Sequence, residues 1–136
     1  MNKPQIIINE LDAERLDDIL SQPQFANTAV ASALNEELDR ADIVQPKYVP
    51  DDIVSMNSQV TFIDLNSNEE LTRTLVYPAN AKDSSVHISI MAPIGAALLG
   101  LRVGDEITWA LPNGVETKIK VKALLYQPES AGDLHR

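Results

Sequence analysis

The chain has 136 residues, 44% of them hydrophobic and none of them cysteine, so it can bury one sizeable core, while disulfides, thiolate metal sites and a cysteine nucleophile are excluded. Its formal net charge of −9 opposes binding to phosphate backbones, which depends on Lys and Arg displacing counterions. No apolar run of about 18 residues occurs, and the segment from Met1 to Gln5 has neither the basic start nor the apolar stretch of a secretion signal, so no membrane partner and a cytoplasmic location are expected.

Charge is uneven along the chain. Residues 1–45 carry nine carboxylates against three basic groups, and residues 46–136 carry eleven against eight; two modules with different surfaces are implied. Ile6, Ile7 and Ile8 form a short apolar run, followed by Asn9, a good N-cap, with Asp12 three positions on where a carboxylate can reach back to free amides. A helix is predicted from there, with Ala13, Leu16, Ile19 and Leu20 on one side and Glu14, Arg15, Asp17 and Asp18 on the other. Ser21 to Gln24, containing Pro23, breaks it. Val30, Leu34, Leu38 and Ala41 mark a second helical stripe running to about Ile43, so residues 1–45 read as a short antiparallel helical hairpin. At 1.5 Å rise per residue, a first arm of about 11 residues is only roughly 16 Å long.

Pro46 and Pro50 remove backbone donors and fix φ, which predicts a stiff extended linker over residues 45–52 and a domain boundary there. With few contacts expected to cross it, residues 46–136 are expected to fold alone. Beyond it the period switches to two: Val60 and Phe62 flank Thr61, Leu71, Arg73 and Leu75 alternate with threonines, and Ile88 and Ile90 alternate with His87 and Ser89. Asn66-Ser67-Asn68 and Pro112-Asn113-Gly114 are turn sequences, the second of which pairs Ile107–Leu111 with Glu116–Tyr126. Pro93 to Gly100 is the one helical segment of this half, with proline at the favoured first turn and glycine at the end. The expected class is α+β, a helical hairpin followed by a mostly antiparallel sheet with one short helix, and a frayed tail from Glu129 to Arg136.

The blocks Val54-Ser55-Met56-Asn57-Ser58-Gln59-Val60, Leu75-Val76-Tyr77-Pro78-Ala79 and Met91 to Gly100, then Gly104-Asp105 and Pro112-Asn113-Gly114, resemble the carboxyl-terminal domain of GreA/GreB transcript cleavage factors. The resemblance covers nearly the whole chain and fits the short-armed Rnk branch of that family best. It implies an FKBP-like sheet domain attached to an antiparallel coiled coil, docking on core RNA polymerase at the rim of its secondary channel. In Gre factors a long coiled coil carries acidic residues to the catalytic magnesium. Here the tip, Ser21 to Thr28, holds no carboxylate, so it lacks the oxygen donors needed to recruit a second Mg²⁺, and the arm is several-fold too short. The resemblance therefore implies a factor that occupies the polymerase without cleaving RNA, with Met91, Pro93 and Ile94 as its docking candidates. The Rnk branch is named for an effect on nucleoside diphosphate kinase levels, so the resemblance implies an indirect, regulatory link to that kinase; the chain has no phosphate-cradling glycine loop with which to be the kinase itself.

No catalytic, metal or cofactor site is expected. Asp17-Asp18, Asp51-Asp52 and Asp105-Glu106 are adjacent pairs whose side chains diverge, and they read as solvated faces or turns. His87 lies in an alternating strand near Ser84, Ser85 and Ser89 with no third partner for a triad, and His135 lies in the tail. Lys118, Lys120 and Lys122 share one strand face and could meet an acidic partner or protect an edge. Phe62, Trp109 and Tyr126 could line a prolyl-isomerase pocket, but with six aromatics in all core packing is the simpler reading. The remaining alternative is a polymerase-independent interaction module.

Overall fold

A computed structural model describes residues 6–83, 85–110, 114 and 116–132. Strand β1 (Ile7–Asn9) runs straight into helix α1 (Glu10–Leu20); a four-residue helix α2 (Pro23–Ala26) and helix α3 (Ala29–Arg40) follow, and strand β2 (Asp42–Val44) returns beside β1. Asn9 caps α1 as its sequence predicts, its side chain accepting the Asp12 N–H at 2.7 Å, and Thr28 caps α3 by accepting from Ala31. Both are orphan-amide solutions typical of helix starts. α1 and α3 pack together, with Leu16, Leu20, Val30 and Leu34 buried.

The second helix stops earlier than its apolar period predicts. Ala41 is extended (φ −73°, ψ 151°), and Asp42 donates its N–H to the Ile6 carbonyl at 3.1 Å. The β-branched pair Ile43-Val44 goes into a parallel ladder with Ile8 and Asn9 instead of a last helical turn. Local period had extended α3, and a strand partner some 35 residues away in sequence overrides it.

The other half is a five-stranded sheet in the order β5-β4-β3-β7-β6, made of β3 (Gln59–Asp64), β4 (Glu69–Val76), β5 (His87–Ser89), β6 (Glu106–Ala110) and β7 (Glu116–Tyr126). β3–β4, β3–β7 and β6–β7 are antiparallel, whereas β4–β5 is parallel. The sheet is thus mixed rather than antiparallel. After β4 the chain does not reverse tightly: a 3-10 turn at Pro78–Asn80 and an Asp83 turn carry it back to enter β5 in the direction of β4. Asn68 takes the left-handed conformation (φ 58°) in the β3–β4 turn, and the predicted β6–β7 pairing is present. Of its turn only Gly114 is among the described residues, Leu111 to Asn113 lying outside them.

Helix α4 (Pro93–Leu98) packs against β5 and β7. A Cβ on Gly95 would stand 2.0 Å from the Ser89 carbonyl oxygen, so only glycine lets the helix lie this close to the strand. The tail contradicts the expected fraying as far as Gly132. Pro128–Ala131 form helix α5, and Gln127 is buried, its amide donating to the carbonyls of Pro50 (2.8 Å) and Ile53 (2.7 Å). Those bonds also anchor the proline segment, which holds a 3-10 turn at Pro46–Tyr48 and is not a free extended spacer. Residues 133–136 lie outside the described residues.

One hydrophobic cluster includes Ile6, Ile8, Leu16 and Leu34 together with Met56, Leu98, Trp109 and Val121. The junction is tight at Gly100, whose φ is +82° and where a Cβ would meet that of Ile6 at 2.7 Å. Gly100 accepts the Ile7 N–H and donates its own to Val54. Many contacts therefore cross the 45/46 boundary, where the sequence led us to expect few.

Candidate functional site

The docking candidates lie where β5 hands over to α4. The Ser89 hydroxyl accepts the Met91 N–H at 3.0 Å, Ala92 is the extended N-cap and Pro93 takes the first helical position, where its missing N–H costs nothing. Met91, Pro93 and Ile94 are all half-buried; Met91 and Ile94 pack against the core with part of each side chain exposed. Ile94 and Ile88 stand between two shallow grooves. One, of about 550 Å³, has Phe62, Leu71 and Ile94 on its apolar side and Arg73 and Lys82 on its basic side. The other, of about 310 Å³, is walled by Pro93 and Ile94 with Asp64 and Glu116 at its edge.

A second cluster, unrecognised in the sequence, joins the two halves. Asp12 is 2% exposed, and its carboxylate accepts from the Met56 N–H (3.0 Å), the Asn9 amide (3.2 Å) and the Tyr77 hydroxyl (3.3 Å). The Asn9 amide also donates to Glu129, whose other oxygen accepts from the Ser55 hydroxyl at 2.7 Å. Burial pushes the Asp12 carboxyl up to about 7, against the opposing pull of the Met56 N–H, and the Glu129 charge adds to the rise. Burial, then the Asp12 charge, likewise raises the Tyr77 phenol above its ordinary range. Asp12 does not reach back to the amides of its own helix as a capping box would. The signal was present, since Asp12 sits four residues before Leu16 and eight before Leu20, on the buried stripe. For Gln127 and Glu129 no local signal distinguishes them from a polar tail.

The remaining candidates resolve into structural roles. Asp52 pairs with Arg102 at 3.0 Å, and Asp105 accepts the Arg102 N–H at 2.9 Å, so both carboxylates hold one turn. Asp17 and Asp18 are exposed. Trp109, at 1% exposure, lines neither groove, and Phe62, at 0% exposure, lines the groove of about 550 Å³ with no second Phe, Tyr or Trp beside it, so the three aromatics are not assembled into one peptide cleft. Ser85 and Ser89 bond to Asp83 and Met91 rather than to His87, and Ser84 and His135 lie outside the described residues. β7 is paired on both sides, which rules out edge protection for its lysines; Lys118 stands 3.6 Å from Glu116 and Lys122 pairs with Glu70. Much of the stripe is locally neutralised. Among the described residues no helix is long and apolar enough to cross a membrane.

Residues 4–44 match the family described as Rnk N-terminus, and residues 49–126 match the C-terminal domain of the transcription elongation factors GreA/GreB. The chain is 57% identical over 133 residues to the regulator of nucleoside diphosphate kinase of Escherichia coli (strain K12), covering 98% of each. It is 40% identical over 91 residues to the transcription elongation factor GreA of Geobacillus kaustophilus (strain HTA426), covering 67% of this chain and 57% of that one. A solved prokaryotic transcription elongation factor GreA/GreB from Nitrosomonas europaea is similar at 43% identity and a TM-score of 0.67, over 91% of this chain and 100% of that one. With one match ending at residue 44, another beginning at residue 49 and a relative aligned along nearly its whole length, the chain belongs to the Rnk branch of the GreA/GreB family of transcription regulators.

Proposed function

We propose that this protein binds core RNA polymerase at the rim of the secondary channel, through residues 46–136, and competes there with Gre factors without stimulating transcript cleavage. The observation that carries this reading is the half-buried Ile94 shared by two grooves, with Pro93 beside it on one of them, in the part of the chain that matches GreA/GreB, together with an arm whose tip has no carboxylate. An apolar lip with a mixed charged surround suits a protein partner, since interface energy concentrates in a few desolvated anchors ringed by polar groups. Residues 1–45 then serve as a short antiparallel coiled coil beside an FKBP-like docking domain, acting in the cytoplasm and contributing no reaction. An α1 of 11 residues spans roughly 16 Å, too little to carry Asp17 or Asp18 to a deep active centre.

Core polymerase incubated with the protein and increasing GreA tests the reading. Mutual displacement is expected, together with no release of short 3′ RNA from backtracked complexes by this protein alone. Magnesium-dependent cleavage, or simultaneous binding of both factors, would overturn it.

A further inference from the structure

We propose that α5 is a latch on the base of the helical arm, closed while Asp12 keeps its proton and released at Glu129 when that proton leaves. The observation that carries it is a single amide shared by two acids. Asn9 Nδ2 donates to Asp12 Oδ2 at 3.2 Å and to Glu129 Oε2, so one side chain joins the first turn of α1 to the tail helix. The other oxygen of Glu129 accepts the Ser55 hydroxyl at 2.7 Å, which ties the same carboxylate to the segment before β3. Polymerase docking is not required for any of this.

Few groups face Asp12. Glu129 comes from α5, the Tyr77 phenol from the end of β4, the Met56 N–H from the segment before β3, and Arg15 from α1 itself. Arg15 is the one cation among these groups, its pull on Asp12 is the weakest of their influences, and it already bonds to Tyr77. Below about 7, burial keeps the proton on Asp12, and the proton has a place: Oδ2 accepts from Met56 and Asn9, which leaves Oδ1, 3.3 Å from the Tyr77 hydroxyl. Above that value two carboxylates bear on one amide at a junction where Asp12 is 2% exposed and water screens little. The repulsion is relieved by the element held less firmly. Asp12 stands on an 11-residue helix anchored by buried Leu16 and Leu20, and its three donors bind the ionised form more strongly. Glu129 is half-buried on a four-residue helix, from which its carboxylate can turn to water. Gln127 and Pro128 are buried and uncharged, and Gln127 keeps its bonds to the Pro50 and Ile53 carbonyls. The opening is therefore confined to Glu129–Gly132.

Nitrogen-15 relaxation of the full-length protein tests this. At about pH 6 the backbone amides of Glu129 to Gly132 are expected to be as ordered as those of α3, with order parameters near roughly 0.85. At about pH 8 they are expected to drop below about 0.6, the range of flexible segments, while those of α1 and α3 hold. In Asp12→Asn, and in Glu129→Gln, the tail is expected to show the same order at both pH values, because one of the two charges is gone. A parent tail equally ordered at both values overturns the proposal, as does loosening with pH that persists in either variant. Parallel loss of order in α1 and α3 also overturns it, since the whole fold rather than a latch would then be opening.

Discussion

The carboxylate of Asp12, in the first turn of α1, accepts the backbone N–H of Met56, 44 residues further along the chain, at 3.0 Å. One side chain thus closes a bond between the helical arm and the sheet domain, and it is a group that burial makes costly to ionise.

Stability is therefore expected to fall as pH rises towards neutrality. The Asp12 carboxyl ionises near 3.8 when solvated and near 7 in the fold. Between those values the folded state holds a proton that the unfolded chain has released, so raising the pH favours unfolding; below the lower value and above the upper one this group contributes no slope. A displacement of that size corresponds to about 4 kcal/mol at most. Asp12→Asn is expected to remove the slope while keeping the fold. An amide oxygen in the Oδ2 position still accepts from Met56 and Asn9, and the amide nitrogen can donate to the Tyr77 hydroxyl. Asp12→Ala is expected to cost about 1–3 kcal/mol, since it leaves the Met56 N–H buried and unpaired. Denaturant melts of all three proteins across roughly pH 5 to 8 check this; the same pH slope in parent and Asp12→Asn would refute it.

Gln127→Ala is expected to destabilise the protein by about 1–3 kcal/mol, because two backbone carbonyls, of Pro50 and Ile53, lose their donor in a buried setting. Glu129→Ala is expected to be milder and additive with it only in part, since both act on the segment that closes over Ser55. Thermal melts of the singles and the double decide. Full tolerance of Gln127→Ala would mean that water replaces the amide at both carbonyls.

Residues 46–136 expressed alone are expected to lack a cooperative melt, contrary to what the change of hydrophobic period at the proline segment implied. Without β1 and α1 the fragment exposes the surface that Ile6, Ile8 and Leu16 cover, and burial of each such side chain is worth about 1.5–3 kcal/mol, a large part of ordinary domain stability. Gly100→Ala tests the same junction in the full chain. It adds a Cβ 2.7 Å from Ile6 at a positive φ, so a loss of about 1–3 kcal/mol is expected. A sharp sigmoidal unfolding curve for the fragment would restore the view of two separable modules.

The start of α1, the β3–β4 hairpin, β7 and the Pro93 helix were legible because each is coded by residues within a few positions: Asn9 as a cap, Asn68 in the turn, Pro93 at the first turn. What escaped depends on partners far apart in sequence. Nothing near Ile43-Val44 announces that Ile8-Asn9 will pair with it, and nothing near Glu129 announces Asn9, 120 residues away. Family resemblance carried the docking candidates, but their half-burial and the grooves on either side emerge only when β5, α4 and β3 are assembled. Asp12 was legible by position on the Leu16 and Leu20 stripe and was missed because a carboxylate near a helix start has an ordinary explanation as a capping group.

Binding energy for polymerase is expected to reside in the Pro93-Ile94 lip rather than in the arm tip. Ile94→Asp puts a charge into the proposed contact and is expected to cost on the order of 2 kcal/mol or more, about thirtyfold in affinity. Ile94 also packs on the core, so the same change tests folding as well as docking, and melting must be measured beside binding. Pro93→Ala and Met91→Ala separate the two effects. Pro93 sits at the first position of α4, where alanine preserves the helix, so weaker binding with an unchanged melt would assign its ring to the interface. Gln24→Ala, at an exposed tip residue, is the control and is expected to stay within about 0.5 kcal/mol in affinity and stability. Competition assays against GreA on core polymerase give the affinities, with circular dichroism melts alongside. If folded Pro93→Ala, Met91→Ala and Ile94→Asp proteins all compete like the parent while Gln24→Ala does not, the contact lies on the helical arm and the grooves beside α4 serve another purpose.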